Sequence, residues 1–224
     1  MHNVARTYLL NRLNFLRLDE LELTDEQKKL FDELYENYII NGVGDEFPYL
    51  LQEKKYKFLT YLIENKNVLV HGSNNPDIEA FEPRNSTLFT GGKVKAVFAS
   101  SDATWSMFFA VINRNDYYGS LRNLCLTAQT SKGVKRYYYF SLNEDFRGEI
   151  WQGGMIYLFP KDRFKPGGAK NEWISEKEVY PLAKVRVSPE DFIFRDFILR
   201  HREDTSHIKN LVRHLLFPKR RRRM

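Results

Sequence analysis

The chain has 224 residues, of which 42% are hydrophobic and 15% aromatic, enough for a substantial packed core. That composition excludes an intrinsically disordered chain, and no run of about 18 apolar residues is present to span a bilayer as a helix. The formal charge of +6 is concentrated at one end, because Lys219, Arg220, Arg221, Arg222 and Arg223 supply five positive charges. The remainder is close to neutral, so this tail is either a contact for phosphates or an acidic partner or simply a solvated end.

The first residues, MHNVARTYLLNRLNFLRLDELEL, lack the uninterrupted apolar stretch and small-residue cleavage site of a secretory signal. Within them, Leu9, Leu10, Leu13 and Leu16 have helical spacing. Thr24 opens a second helical pattern, with Leu30, Phe31, Leu34, Tyr38 and Ile39 on its apolar face and Asn41-Gly42 as its stop. A third candidate, FPYLLQEKKYKFLTYLIENK, carries a proline near its first turn and runs to Lys66.

After Asn67 the pattern changes to short apolar or alternating runs separated by Gly, Asn, Ser and Pro. NVLVHGS, VKAVFASS, NLCLTAQT, VKRYYYFSL, GMIYLFP and PLAKVRV read as strands. In RYYYFSL, tyrosine at the alternate positions 137 and 139 predicts a half-exposed face. The single cysteine, Cys125, has no internal disulfide partner, which together with the missing signal predicts a cytoplasmic protein. One helix interrupts the strands, ATWSMFFAVINRN with Asp102 as its N-cap, and RHREDTSHIKNLVRHLLF closes the sequence with Ile208, Leu211, Val212 and Leu215 on one face. The expected class is α+β, divided as an N-terminal helical region (1–66), a strand-rich core (67–200), and a C-terminal helix with its basic tail (201–224).

Several catalytic signatures are missing. There is no phosphate-binding loop ending in Lys-Ser/Thr, no strand-linked GxGxxG, no HExxH and no GxSxG, and one cysteine excludes a thiolate zinc site. Three fragments remain. In VLVHGS, a strand delivers His71, Gly72 and Ser73 to its end, where a glycine lets a ligand approach the backbone. VFASSDATWSMFF offers Ser100 or Ser101 as hydrogen-bonding hydroxyls and Trp105, Phe108 or Phe109 as stacking surfaces. In SEKEVYPLAKVRV, Glu176 and Glu178 stand two residues apart, so an extended chain turns both to one face. Each fragment also has a plain reading: His71 as strand-end punctuation, the aromatic helix as core, and Glu176-Lys177-Glu178 as a solvated edge.

Taken in order, the three motifs resemble the ADP-ribosyltransferase superfamily over roughly residues 67 to 195. The resemblance implies a split antiparallel β-sheet core with an NAD cleft. His71 would bond a ribose, the Gly72 backbone would grip the nicotinamide amide, and Ser73, Ser100 and Phe108 would line the cleft. Glu178 would be the catalytic carboxylate that stabilises the oxocarbenium-like centre as the glycosidic bond breaks. Arg84, from FEPR, is the candidate phosphate partner.

The sequence departs from the family in lacking the Ser-Thr-Ser triplet of one branch and the nicotinamide-stacking tyrosine of the other. Glu172 competes with Glu178, because NEWIS resembles the Asn-Glu-aromatic context of another branch. The resemblance also leaves open a non-catalytic nucleotide- or nucleic-acid-binding module and a 2′-phosphotransferase-like RNA enzyme, with the ADP-ribose acceptor unidentified.

Overall fold

The computed structural model describes residues 2–216; the basic tail at 219–223 lies outside the described residues. In chain order the elements are α1 (His2–Arg12), β1 (Leu16–Leu18), α2 (Asp25–Tyr38), α3 (Lys55–Asn65), β2 (Val68–Ser73), β3 (Arg84–Thr87), β4 (Lys93–Ser100) and α4 (Ala103–Val111). They continue with β5 (Arg122–Thr130), β6 (Gly133–Asn143), β7 (Gly154–Pro160), β8 (Lys165–Pro166), β9 (Glu172–Ser175), β10 (Ala183–Val187), β11 (Leu199–His201) and α5 (His207–Leu216). The class is α+β. No described helix is long and apolar enough to cross a membrane.

Contacts group the chain into two units that do not follow the linear division at 66 and 200. One comprises Glu22–Asn113 and Trp151–Phe192; the other comprises the chain up to Leu21, Arg114–Ile150 and the chain from Ile193.

The unit containing β2 is built on a seven-stranded sheet in the order β10-β7-β2-β4-β9-β8, with β3 hairpinned onto β4. Apolar residues two apart face one side, where Leu69, Val97, Ala99, Tyr157 and Phe159 pack with Phe81 and Val179. Phe81 is the hub of that layer, with its ring edge-to-face on Tyr157 and on Phe159, each at 4.9 Å. On the other side lie α3 and α4. The α2 start is a capping box, in which Thr24 Oγ1 accepts from Gln27 N–H at 3.2 Å and Gln27 Oε1 accepts from Thr24 N–H at 3.0 Å. Phe31 and Phe58 then join α2 to α3 ring on ring at 5.3 Å. The third helical pattern begins later than its sequence suggests. Residues from Phe47 to Lys54 stay outside the helix because Phe47 N–H bonds Lys184 O at 3.0 Å beside β10.

α4 fixes the geometry of this unit. Asp102 caps it, its Oδ1 accepting from Trp105 N–H at 2.8 Å. The helix backbone lies directly on two glycines of adjacent strands. A Cβ on Gly72 would fall 1.9 Å from Ser106 O, and one on Gly154 would fall 1.9 Å from Ala110 O.

In the other unit β6 is the central strand, with β5 antiparallel on one edge and β1 and β11 sharing the opposite edge, β11 running parallel. This overturns two expectations. Leu16 leaves the helix and pairs with Tyr138, since α1 stops at Arg12. The RYYYFSL tyrosines are not half-exposed, because both faces of β6 are covered. Tyr137 packs with Leu10 and Ala128 on one side, while Tyr138 meets Phe140 and Phe194 rings at 5.8 and 5.4 Å on the other.

Replacing Gly72 by Ala should lower unfolding stability by about 3 kcal/mol, the upper part of the usual overpacking range, because helix backbone cannot yield as a side chain can. Chemical denaturation checks this; a loss below about 0.5 kcal/mol would mean that α4 is free to shift.

Candidate functional site

The strands bearing His71, Ser100 and a glutamate are consecutive in one sheet, and the interruption between the first two defines the site. β2 and β4 are registered only at Val70↔Ser100. Asn67 O accepts from Lys161 N–H at 3.0 Å, so in the β2–β7 ladder the odd residues of β2 bond β7 and the even ones turn to the β4 edge. Continuing the β2–β4 ladder would pair Gly72 with Phe98. Instead, the Phe98 carbonyl is taken by His71 Nδ1 at 2.8 Å. The side chain replaces a ladder bond, the strands part, and the Gly72 N–H and C=O face an edge with no registered partner strand.

That contact also sets the imidazole's tautomer. A carbonyl can only accept, so Nδ1 carries the hydrogen and Nε2 is left as an acceptor. Burial pushes the His71 pKa down; the Phe98 carbonyl opposes this, and the Arg84 charge adds to it. The neutral ring packs edge-to-face on Phe81 at 5.1 Å, on the sheet face opposite α4, so the structure does not bring it to the face shared by Phe98, Ser100 and Glu172.

At the closed end of the gap, Ser100 pairs across β4 and β9 with Glu172. Residues directly opposite in an antiparallel pair turn their side chains to the same face. Ser100 Oγ accepts from Asp102 N–H at 3.0 Å, which leaves its own hydrogen to donate. Glu172 is buried, and its carboxylate accepts from Phe89 N–H at 3.2 Å and Gly168 N–H at 2.5 Å. Two loop amides therefore hold this carboxylate where the β3–β4 turn meets the β8–β9 turn.

The other expected site residues are placed differently. Glu178 is exposed, three residues beyond the end of β9 at Ser175, and accepts from the Tyr180 hydroxyl at 3.0 Å. Glu176 is likewise exposed and pairs with Lys165 at 2.8 Å. Phe108 is fully buried, its ring against Phe109 at 5.3 Å and Phe192 at 5.7 Å, so it is core and offers no face to a ligand. Gly72 is explained first by α4, whose Ser106 carbonyl fills the space above it, and only its in-plane backbone groups remain available. Ser73 Oγ accepts from Asn75 N–H at 3.1 Å and shapes the turn that follows β2. Arg84 is exposed on β3, close enough to influence His71. One residue was missed: Phe98, half-buried and two residues before Ser100, shares that face of β4.

Among the described residues no cluster of His, Cys, Asp and Glu is arranged to hold a metal ion. No family model matches the chain, and no curated protein or solved structure was found to match it.

The other unit holds a second polar cluster, around the buried His201. Its Nδ1 lies 2.8 Å from Ser141 Oγ and its Nε2 lies 2.9 Å from Ser120 Oγ. Glu203 accepts from Ser120 N–H at 2.7 Å and from the Ser120 hydroxyl at 2.9 Å. Because that hydroxyl's one hydrogen points to Glu203, Nε2–H must donate to Ser120 and Ser141 must donate to Nδ1. His201 is thus no base toward Ser120, and the cluster is a structural lock rather than a serine nucleophile.

Burial, followed by the Arg122 charge, pushes the His201 pKa from its ordinary 6.5 down to about 4. Between those values the unfolded chain takes a proton that the folded one refuses. Stability therefore falls as pH drops from 6.5 to about 4, by about 3 kcal/mol in all, and is fully present above 6.5. Denaturation at several pH values should show this slope, and His201→Gln should flatten it; an unchanged slope in the variant would assign it to other groups.

Proposed function

We propose that the chain is an ADP-ribosyltransferase-like enzyme that binds NAD at the gap between β2 and β4 and breaks its nicotinamide–ribose bond. The observation that supports this best is the interrupted ladder beside the Ser100↔Glu172 pair: an unpaired glycine backbone on β2, Ser100 on β4 and a buried carboxylate on β9.

Each group has a task that its chemistry suits. The Gly72 C=O and N–H accept from and donate to the nicotinamide carboxamide, which has the complementary donor and acceptor. Phe98 takes the stacking role that Phe108 cannot fill. His71 keeps the gap open by holding the Phe98 carbonyl, its ring lying on the other face of the sheet from Glu172. Arg84 pairs with a pyrophosphate oxygen. Glu172 replaces Glu178 as the catalytic carboxylate, with a nicotinamide-ribose hydroxyl displacing one of the two loop amides that hold it.

In the reaction, the C1′–N bond breaks and its electron pair leaves with nicotinamide, while positive charge develops on the ribose. A fixed carboxylate stabilises that charge more in the transition state than in the ground state. An acceptor nucleophile, or water, then forms the new bond to C1′ and releases a proton.

Nicotinamide release from NAD tests the reading. Glu172→Gln should lower the rate by about a hundredfold or more, the scale of losing one preorganised electrostatic group, whereas Glu178→Gln should stay within about twofold. Full activity in Glu172→Gln, or its loss in Glu178→Gln, would overturn this assignment.

A further inference from the structure

Where β6, β11 and the start of α5 converge, the structure contains a cavity of about 290 Å³, at the lower edge of the roughly 300–1,000 Å³ range of small-molecule sites. Its wall includes Arg200, Arg202 and Arg213, with Glu144 as the opposing carboxylate and Asn210 and His214 on the α5 side. Three guanidinium groups around one small cavity give it a positive potential that favours an anionic ligand.

The carboxylates present do not neutralise them. Arg202 is committed to Asp204 at 2.9 Å and lies 3.9 Å from Glu144. Arg200 is half-buried and donates through Nη1 to a neutral acceptor, Asn143 O, at 3.0 Å. Burial pushes its pKa down; Tyr117 opposes this and the Arg147 charge adds to it. Arg213 has no ion-pair partner among the described residues.

Unused donors supply an independent observation. Asn210, on the cavity wall, has its Nδ2 buried with no hydrogen-bond partner. Behind the wall, Arg122 is only 3% exposed, and its Nε and Nη1 are also buried without partners. Its Nη2 donates to the carbonyls of Arg202 at 3.2 Å and Glu203 at 3.4 Å, which puts a buried cation directly beneath the cavity-forming segment. Buried unpaired donors are costly, and a cationic group more so.

We propose that this cavity is a binding site for a small phosphate-bearing anion, held by the Arg200 and Arg213 guanidinium groups. Phosphate fits because its several acceptor oxygens engage planar guanidinium donors from more than one direction, and its charge offsets cations that lack carboxylate partners. The site belongs to the unit built on β6 and is independent of the NAD reading.

Calorimetric titration of the full chain with inorganic phosphate, with AMP and with a short single-stranded oligonucleotide tests it. Saturable 1:1 binding of phosphate or AMP is expected, weakened at least about tenfold by Arg213→Gln and by Arg200→Gln. Arg213 is solvent-exposed, so its substitution should leave the melting temperature unchanged and isolate the binding effect. Tighter binding of AMP than of phosphate identifies a nucleotide as the source, and equal affinities identify the phosphate group alone. No saturable binding of either, binding indifferent to both substitutions, or binding of the oligonucleotide alone with a steep salt dependence would overturn the proposal.

Discussion

A single side-chain hydrogen bond governs the sheet around the candidate site. By taking the Phe98 carbonyl at 2.8 Å, His71 removes the acceptor that would continue the β2–β4 ladder past Val70↔Ser100. The consequence is local and directional. β2 stays fully paired to β7 on its other edge, so the strand remains rigid while its β4 edge opens. A rigid strand with one free edge presents backbone groups to a ligand without the entropy loss of ordering a loop.

Gly72 sits under two constraints at once. Above the sheet, the α4 backbone leaves no room for a Cβ, and in the plane of the sheet its amide and carbonyl have lost their strand partner. The first constraint is structural and sufficient by itself to demand glycine; the second supplies the proposed chemistry. Glu172 likewise combines burial with two loop amides, so its carboxylate is fixed before any ligand arrives. Preorganisation of this kind is what gives a carboxylate leverage on developing positive charge.

Much of the fold was legible because its strands are rich in β-branched and aromatic residues and its helix starts carry capping side chains. VLVHGS, VKAVFASS and GMIYLFP became β2, β4 and β7, and Thr24 and Asp102 cap the helices they were expected to begin. What failed depended on partners distant in sequence. RNST of β3 is polar and exposed, and LRL of β1 continues a helical spacing until its pairing with β6 takes over. Glu172 and Glu178 differ in register: Glu-x-Glu-Val before a proline is a local pattern, whereas strand pairing sets Glu172, not Glu178, opposite Ser100. The arginine-walled cavity had no sequence signal, since Arg122 meets Arg202 and Glu203 only through the pairing of β5, β6 and β11.

The central claim is that the β2–β4 gap and Glu172 form one NAD site. A crystal structure with a non-hydrolysable carbocyclic NAD analogue tests it most directly. The account predicts the carboxamide bonded to the Gly72 backbone and a nicotinamide-ribose hydroxyl within about 3 Å of the Glu172 carboxylate, in place of a loop amide. An analogue bound elsewhere, with the Glu172 carboxylate still closed on Phe89 and Gly168, would contradict it.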